Sequence, residues 1–233
     1  MSYVPYRDAR PARRRTLDRD AVVAAALRVL DEVGLDELTM RRLADRLGVK
    51  AASLYHHVRD KDELLVLVAD AIAGEMEPPP PGAWRERLAA LARSYRRTLA
   101  SHRDGARVLA ATAPLGARRL RQIDTVLGIL LDAGVPPRDV ARAAYHLNNF
   151  VVEFAADEAR FGAAAGPHGP GRRKAFEEVR RHFRSLPPAE FPAVHALADE
   201  LSEDDPDALF EFGLELWLRA LDTLAPRGRG GRR

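Results

Sequence analysis

Apolar residues recur at intervals of three and four positions along almost the whole chain, a spacing typical of amphipathic α-helices. The first stripe runs from Val22 to Val33 and stops at Gly34, as expected because glycine often follows the last turn of a helix. We find no alternating run of β-branched and aromatic residues that would indicate a strand. The hydrophobic pattern therefore predicts an all-α fold.

Two groups of helices are predicted, separated by the four prolines at 78–81, because proline cannot continue a helix. The first group is predicted at about 18–33, 39–48, 51–57 and 60–76. The second is predicted at 83–101, 104–111, 115–132, 137–161, 174–185, 189–202 and 206–224. The Gly/Ala/Pro-rich segment 162–171 contains little to bury and is interpreted as a mobile loop.

The segment 38–58 has the pattern of two short helices that meet at a sharp turn. Gly48 can adopt the positive φ that such a turn needs, and Ala44 is small where the helix backbones must approach. With Leu43 and Leu54 directed inward, a compact polar face suited to the major groove of DNA remains outside. That face comprises Lys50, Ala51, Ser53, Tyr55, His56 and His57. A plain helical hairpin with a solvated face is the alternative.

Composition and charge narrow the function classes. The chain of 233 residues has no cysteine, which excludes disulfides, zinc–thiolate sites and cysteine nucleophiles. No apolar stretch is long enough to span a membrane, and no secretory signal follows the N-terminal arginines, so we expect a soluble cytoplasmic protein. The formal net charge of +3 divides into +4 at residues 1–19, +4 at 226–233 and −5 between them.

The two basic ends have different interpretations. Arg13, Arg14 and Arg15 either form a solvated tail or lie in a minor groove beside the predicted DNA-binding segment, and their position directly before that segment favours the groove. The arginines at 227–233 are far from it in sequence, which favours a solvated tail.

Residues 18–65 resemble the DNA-binding domain of the TetR family of bacterial transcriptional repressors. The resemblance depends on Glu37-Leu38-Thr39, Leu43-Ala44, Leu47-Gly48-Val49, Ser53-Leu54-Tyr55, His57-Val58, Lys61 and Leu64-Leu65. Segments 101–108 and 212–216 are similar to the tetracycline-repressor branch. The resemblance implies a one-component regulator, a repressor that binds a palindromic operator in double-stranded DNA as a homodimer and is released by a small organic effector.

The resulting organisation has four parts: a basic flexible arm at 1–17, a three-helix helix-turn-helix DNA-binding domain with a connecting helix at 18–77, a larger helical effector-binding and dimerisation domain at 83–225, and a basic tail at 226–233. We refer to 18–77 as the reading head and to 83–225 as the body. Whether the protein represses or activates does not follow from the sequence.

Six residues occupy positions similar to known operator contacts of the family: Thr39, Arg41, Ser53, Tyr55, His57 and Lys61. Thr39, Tyr55 and Lys61 are expected to contact phosphates, and the Arg41 guanidinium is expected to form a bidentate pair with a guanine. Lys50, Ala51, Ser53 and His56 are expected to set the remaining base preference. Ala51 and His56 stand where tetracycline repressors have Gln and Trp, so a different operator is predicted.

The body is expected to dimerise through helix 206–224, which is apolar around much of its circumference, together with helix 137–161. On helix 137–161 the polar residues His146, Asn149, Glu153 and Asp157 recur among apolar ones. They are interpreted either as the wall of an effector cavity or as a hydrated dimer rim or an internal salt bridge to Arg142 or Arg160. The resemblance adds further wall candidates: Tyr95, Leu109, Thr112, Pro114 and Ile129.

The body also departs from the tetracycline-repressor pattern. Leu109 replaces the histidine that ligates magnesium there, and Ile129 replaces a glutamine. A leucine cannot ligate a hard cation, so we predict no magnesium–tetracycline recognition, no metal and no cofactor, and instead a small, mostly hydrophobic effector. A helical enzyme with a vestigial N-terminal domain is the competing hypothesis. The sequence offers it neither an HExxH motif nor a phosphate-binding glycine loop.

Overall fold

The computed structural model describes residues 17–162, 170–202 and 205–225, and every regular element within these ranges is helical. The predicted all-α fold is therefore confirmed for this part of the chain. The predictions for Arg13–Arg15, for residues 163–169 of the expected loop and for the tail 226–233 concern residues outside the described ranges. The helices are α1 Arg19–Val33, α2 Met40–Leu47, α3 Ala51–Leu54, α4 Lys61–Ala73, α5 Trp84–Ala100, α6 Gly105–Ala110, α7 Ala117–Asp132, α8 Pro137–Gly162, α9 Pro170–Ser185, α10 Pro192–Ala196 and α11 Pro206–Leu224, with a 3₁₀ turn at Glu200–Ser202.

Side-chain caps define where three helices of the reading head, α1, α2 and α4, begin. The Asp18 carboxylate accepts a hydrogen bond from the Ala21 N–H at 2.7 Å, and the Asp60 carboxylate accepts one from the Glu63 N–H at 2.8 Å. Each cap satisfies a backbone donor that has no partner within the helix, a contribution of about 0.5–2 kcal/mol.

Helices α1–α4 of the reading head pack around one end of an apolar core that continues into the body. Val22, Leu30, Leu43, Leu54 and Leu64 are fully buried there. Burying such a side chain contributes about 1.5–3 kcal/mol, and truncating one to alanine leaves a cavity that costs about 2–5 kcal/mol. This core holds α2 and α3 at a fixed angle.

The body is built around α8, which packs against α5, α6, α7 and α11. The rings of Phe150 and Phe210 stack at 5.2 Å between centroids, and Phe154 meets Phe210 edge-on at the same distance. Gly213 makes the close approach of α11 possible, because a β-carbon there would lie 2.7 Å from the Phe150 ring.

Several predicted helix boundaries differ from the structure. The helix predicted at 189–202 is wrong: α10 covers only Pro192–Ala196, and a separate 3₁₀ turn follows at Glu200–Ser202. None of the α10 residues is buried, so no apolar stripe stabilises a longer helix there. The helix α3 is also shorter than predicted and ends at Leu54, and the next three residues form a turn.

No helix within the described ranges is both long enough and apolar enough to cross a membrane.

Candidate DNA-binding face and effector region

The turn between α2 and α3 has the predicted geometry. Gly48 adopts φ 65° and ψ 31°, the left-handed conformation that glycine tolerates without strain. The Val49 N–H donates to the Ala44 carbonyl at 3.1 Å and thereby closes the C-terminus of α2. Ala44 is only 2% exposed, so its small side chain lies where the helices pack.

The outward side of α2 and α3, together with the turn after α3 and the start of α4, carries the predicted DNA-contacting residues. Tyr55 is 53% exposed, although an aromatic ring of this size is usually largely buried. Of the predicted operator contacts, Thr39, Arg41, Lys50, Ala51, Tyr55 and His56 are exposed, and Ser53, His57 and Lys61 are partly buried. We call these nine residues the reading face.

The arginines of α2 differ in their partners. Arg42 pairs with Glu37 at 2.7 Å, and Arg46 forms a bidentate pair with Glu32 at 2.6 and 2.9 Å. Arg41 is exposed and has no acidic partner among the described residues. Its five donors therefore stay available for a bidentate contact with a base.

Two other members of the reading face already make protein contacts. The Thr39 hydroxyl accepts the Arg42 N–H at 3.2 Å and so caps α2, which leaves its own O–H free to donate to a phosphate oxygen. The Lys61 ammonium donates to the Leu35 carbonyl at 3.4 Å and keeps two further protons. Both arrangements are compatible with the predicted phosphate contacts.

The start of α6 attaches the reading head to the body. Asp104 occupies the N-cap position of α6, but its carboxylate makes no capping bond there and instead accepts the Leu35 N–H of the α1–α2 turn at 2.8 Å. Arg107 pairs with Asp36 of the same turn at 2.9 Å. Its hydrogen bond and its charge hold the pKa of the Asp36 carboxyl below its ordinary value.

His102 and Arg103 extend this attachment. The His102 ring approaches Asp31 of α1 at 3.2 Å and Glu75, just after α4, at 2.9 Å. The Arg103 guanidinium donates to the Glu32 carbonyl at 3.0 Å. The sequence segment 101–108 therefore has a definite role in the structure, as the joint between head and body.

The predicted effector residues on α5–α7 lie mostly in the interior. Leu109 and Ile129 are buried, Thr112 is partly buried and Pro114 is exposed. The Tyr95 hydroxyl donates to the Asn148 side-chain oxygen at 3.2 Å. Burial raises the pKa of Tyr95 to about 12, although the positive charge of Arg119 opposes the rise.

Arg119 is a polar interior residue that sequence reasoning missed. Its guanidinium donates to the Leu109 carbonyl at 3.1 Å and to the Thr112 carbonyl at 2.9 Å, next to the expected effector wall. Burial lowers the pKa of Arg119, and the charges of Tyr95 and Asp70 partly offset this. An arginine inside an amphipathic pattern was the available signal, but its partners come from the preceding turn and could not be anticipated.

The polar stripe of α8 faces outward in the single chain. His146 and Glu153 are exposed and Asn149 is partly buried, while the neighbouring Asn148 is the one that meets Tyr95. Asp157 pairs with Arg160 at 3.5 Å, as the salt-bridge interpretation expected. These polar residues therefore lie on or beside the exposed side of α8, and their role in effector binding stays a prediction.

The sequence reasoning also missed a second charge cluster, in which Arg96 and Glu158 are largely buried and Asp207 is exposed. Arg96 pairs with Glu158 at 2.8 Å and with Asp207 at 2.9 Å, and its guanidinium lies over the Phe154 and Phe210 rings at 5.1 and 4.7 Å. The cluster joins α5, α8 and α11. Within the described ranges no group of three His, Asp or Glu side chains could hold a metal ion.

The helix α11 exposes an apolar face. Phe212 is 66% exposed and Leu216 is 52% exposed, while Phe210 and Leu214 on the opposite side are buried. Because Leu209, Phe212 and Leu216 follow a spacing of three and four, they share one side of the helix. A contiguous apolar surface of this kind is typical of a protein–protein interface.

Both the N-terminal and the C-terminal group of helices match models of known protein families. Residues 22–68 match the model for bacterial regulatory proteins of the tetR family, and residues 77–224 match the tetracyclin repressor-like C-terminal domain. The class A tetracycline repressor from transposon 1721 of Escherichia coli is 36% identical over 215 residues, which cover 91% of this chain and 92% of the relative.

Solved structures of related regulators have the same fold. ActR of Streptomyces coelicolor in complex with actinorhodin superposes with a TM-score of 0.82 at 34% identity, covering 91% of this chain and 99% of the other. Mycobacterium smegmatis BioQ, solved with its double-stranded DNA operator, has a TM-score of 0.66 at 28% identity and covers 89% of this chain and 99% of the other. The chain belongs to the TetR family, and it is a DNA-binding transcriptional regulator rather than an enzyme.

Proposed function

We propose that this protein is a cytoplasmic repressor that binds a palindromic operator as a homodimer and releases it when a small, mostly apolar organic compound occupies the body. The observation that carries the proposal is the reading face, where six of the nine side chains stay exposed on α2, α3 and the residues that flank them, above a buried apolar core. The four-part division into arm, reading head, body and tail belongs to the same proposal.

The residues of the reading face are assigned two tasks. Thr39, Tyr55 and Lys61 position α3 by contacts to phosphates, which carry no sequence information by themselves. Arg41 reads a guanine, because no acid in the described part of the chain pairs with its guanidinium. The remaining base preference is set by four other residues: Lys50, Ala51, Ser53 and His56. His57 is a further operator contact by its position.

The exposed face of α11 supports the homodimer. Pairing two copies through this face and α8 would cover Phe212 and Leu216 and would relate two reading heads by a two-fold axis. A palindromic operator with half-sites about 34–36 Å apart, or a multiple of that distance, matches such symmetry.

The effector is placed among α5, α6, α7 and α8, with Tyr95, Leu109, Thr112, Pro114 and Ile129 as wall residues and with His146, Asn149 and Glu153 bordering the site. A solved structure of a relative supports an organic effector, since ActR was solved in complex with actinorhodin. Leu109 and Ile129 favour an apolar compound over a magnesium chelate.

Binding to the DNA that flanks the protein's own gene tests the proposal. We expect a gel shift by the full-length protein at low salt, which Arg41→Ala weakens strongly and which Arg42→Ala leaves almost unchanged. Arg42 is the matched control because it lies next to Arg41 but already pairs with Glu37. Absence of any shift at low salt by the unaltered protein would refute the proposal.

The arm is assigned to an adjacent minor groove through Arg13, Arg14 and Arg15. Each phosphate contact contributes about 0.9 to the slope of log affinity against log salt, so deleting residues 1–16 is expected to reduce that slope by about 2–3. A deletion of the basic tail 226–233 is the control and should leave the slope unchanged. Equal slopes for the intact and arm-deleted proteins would show that the arm is a solvated tail.

A further inference from the structure

The helix α7 begins without a cap of its own. Gly116 occupies the N-cap position and has no side chain to offer, and the first turn contains arginines but no acidic residue. Positive charges at this end oppose the helix dipole. The local sequence alone therefore gives the first turn of α7 little stability.

The missing cap is supplied by another helix. The Asp70 carboxylate, in the last turn of α4, accepts the Arg119 N–H at 2.8 Å. Arg119 is the third residue of α7, the position whose N–H a capping side chain usually satisfies. A β-carbon on Gly116 would overlap the Asp70 carboxyl group, so glycine at this position is what lets the carboxylate reach the backbone.

The same arginine also closes the preceding helix. Its guanidinium bonds the Leu109 carbonyl at 3.1 Å and both the carbonyl and the hydroxyl of Thr112, at 2.9 and 3.0 Å. One residue thus fastens the end of α6, the start of α7 and, through its N–H, the end of α4. Leu109 and Thr112 belong to the proposed effector wall.

The helix α4 is the element that reaches the reading head. Its residues Leu64 and Val68 lie in the shared apolar core, and its first residue, Lys61, belongs to the reading face. The helix α4 packs against both α6 and α7, and within this interface the Asp70 hydrogen bond is the contact that is either made or broken when the α6–α7 junction changes.

We propose that Asp70 is a positioning residue that couples the body to the reading head by capping α7 across the interface between the helices. The inference rests on the proposed function. Since coupling between two sites is reciprocal, operator DNA bound at the reading face should alter the stability of the first turn of α7. This allows a test that needs no effector.

The test measures amide hydrogen exchange of residues 117–120 in the full-length protein, with and without operator DNA. In the unaltered protein, operator binding is expected to change the exchange rate at least about fivefold, the lower end of typical coupling. Asp70→Asn keeps an oxygen acceptor for the cap and should retain the change. Asp70→Ala removes the acceptor and should abolish it.

Controls separate this coupling from simple loss of structure. Asp124→Ala removes an exposed acid from α7 that makes no described contact and should behave like the unaltered protein. Gly116→Ala should mimic Asp70→Ala, and the two changes together should cost little more than either alone, because both remove the same contact.

Two results would overturn the proposal: an undiminished exchange response in Asp70→Ala that still binds operator, or no response of α7 in the unaltered protein when it is bound to operator. Failure of the unaltered protein to bind operator at all would instead refute the proposed function, so the two failures are distinguishable.

Discussion

The reading head and the body place their polar groups in opposite ways. In the head the core is apolar and the chemistry lies outside, on exposed residues such as Arg41 and Tyr55. In the body an apolar face on α11 is exposed, while Tyr95, Arg96 and Arg119 bring polar groups into the interior. Each surface therefore indicates its partner: a polar face suits DNA, an apolar face suits a second protein, and a polar interior suits a ligand.

The largest effect is expected where the apolar face receives a charge. Phe212→Glu would bury an unpaired carboxylate in the dimer, at a cost of about 3–5 kcal/mol. We expect a monomer in size-exclusion chromatography with light scattering, and operator affinity lower by about 100-fold or more. Leu131→Glu is the control, because Leu131 is also half-exposed but lies on α7. An intact Phe212→Glu dimer with normal affinity would contradict the assignment of this face.

The next largest effect is the pH dependence of stability that arises from Tyr95, in the interior of the body. Because burial raises the pKa of Tyr95 from 10.0 to about 12, the folded state favours the neutral phenol. The stability this group provides is complete below pH 10 and is lost as pH rises through about 12, a loss of about 2–3 kcal/mol. Urea unfolding at several alkaline pH values should show a steeper decline for the unaltered protein than for Tyr95→Phe. If the free energy of unfolding declined equally with pH in both proteins, ionisation of Tyr95 would not destabilise the folded state.

A smaller effect separates two neighbouring arginines of the reading head. Arg41→Ala should lose about 1–3 kcal/mol of discrimination between the operator and a scrambled duplex, because it removes a bidentate base contact. Arg42→Ala should lose less than about 1 kcal/mol, since Arg42 is engaged in a surface ion pair. Fluorescence anisotropy with both duplexes measures this. Equal losses from the two variants would mean that Arg41 contributes only its charge.

The smallest effect concerns two glycines at which a β-carbon would meet no other part of the protein within 4 Å, apart from the adjacent residues and the local helix backbone. They differ in backbone conformation, because Gly48 has φ 65° and Gly128 lies within α7. Gly48→Ala should destabilise the protein by about 1–2 kcal/mol. Gly128→Ala should stabilise it by about 0.5–1 kcal/mol. Denaturant unfolding of both variants measures the difference, and the same sign for both would contradict the argument.

The sequence was most informative where structure depends on neighbours along the chain. The cap at Thr39, the turn at Gly48 and the buried stripe of α1 all follow from residues a few positions apart. Prediction failed at 189–202, where an apparently helical pattern has no core to pack against. Nor does the local pattern reveal that the Asp104 carboxylate, at the N-cap position of α6, accepts a hydrogen bond from the α1–α2 turn.

By itself, the sequence determined the all-helical class, the helix-turn-helix and the candidate reading face, because helix periodicity and capping are local properties. Only the tertiary structure decided which charges are neutralised, which polar groups enter the interior and which residues join head to body. Those outcomes depend on partners distant in sequence, as with Asp70 and Arg119 across 49 positions or Arg96 and Glu158 across 62. Packing of the apolar stripes brings such residues together in space, and no short sequence pattern predicts which of them will meet.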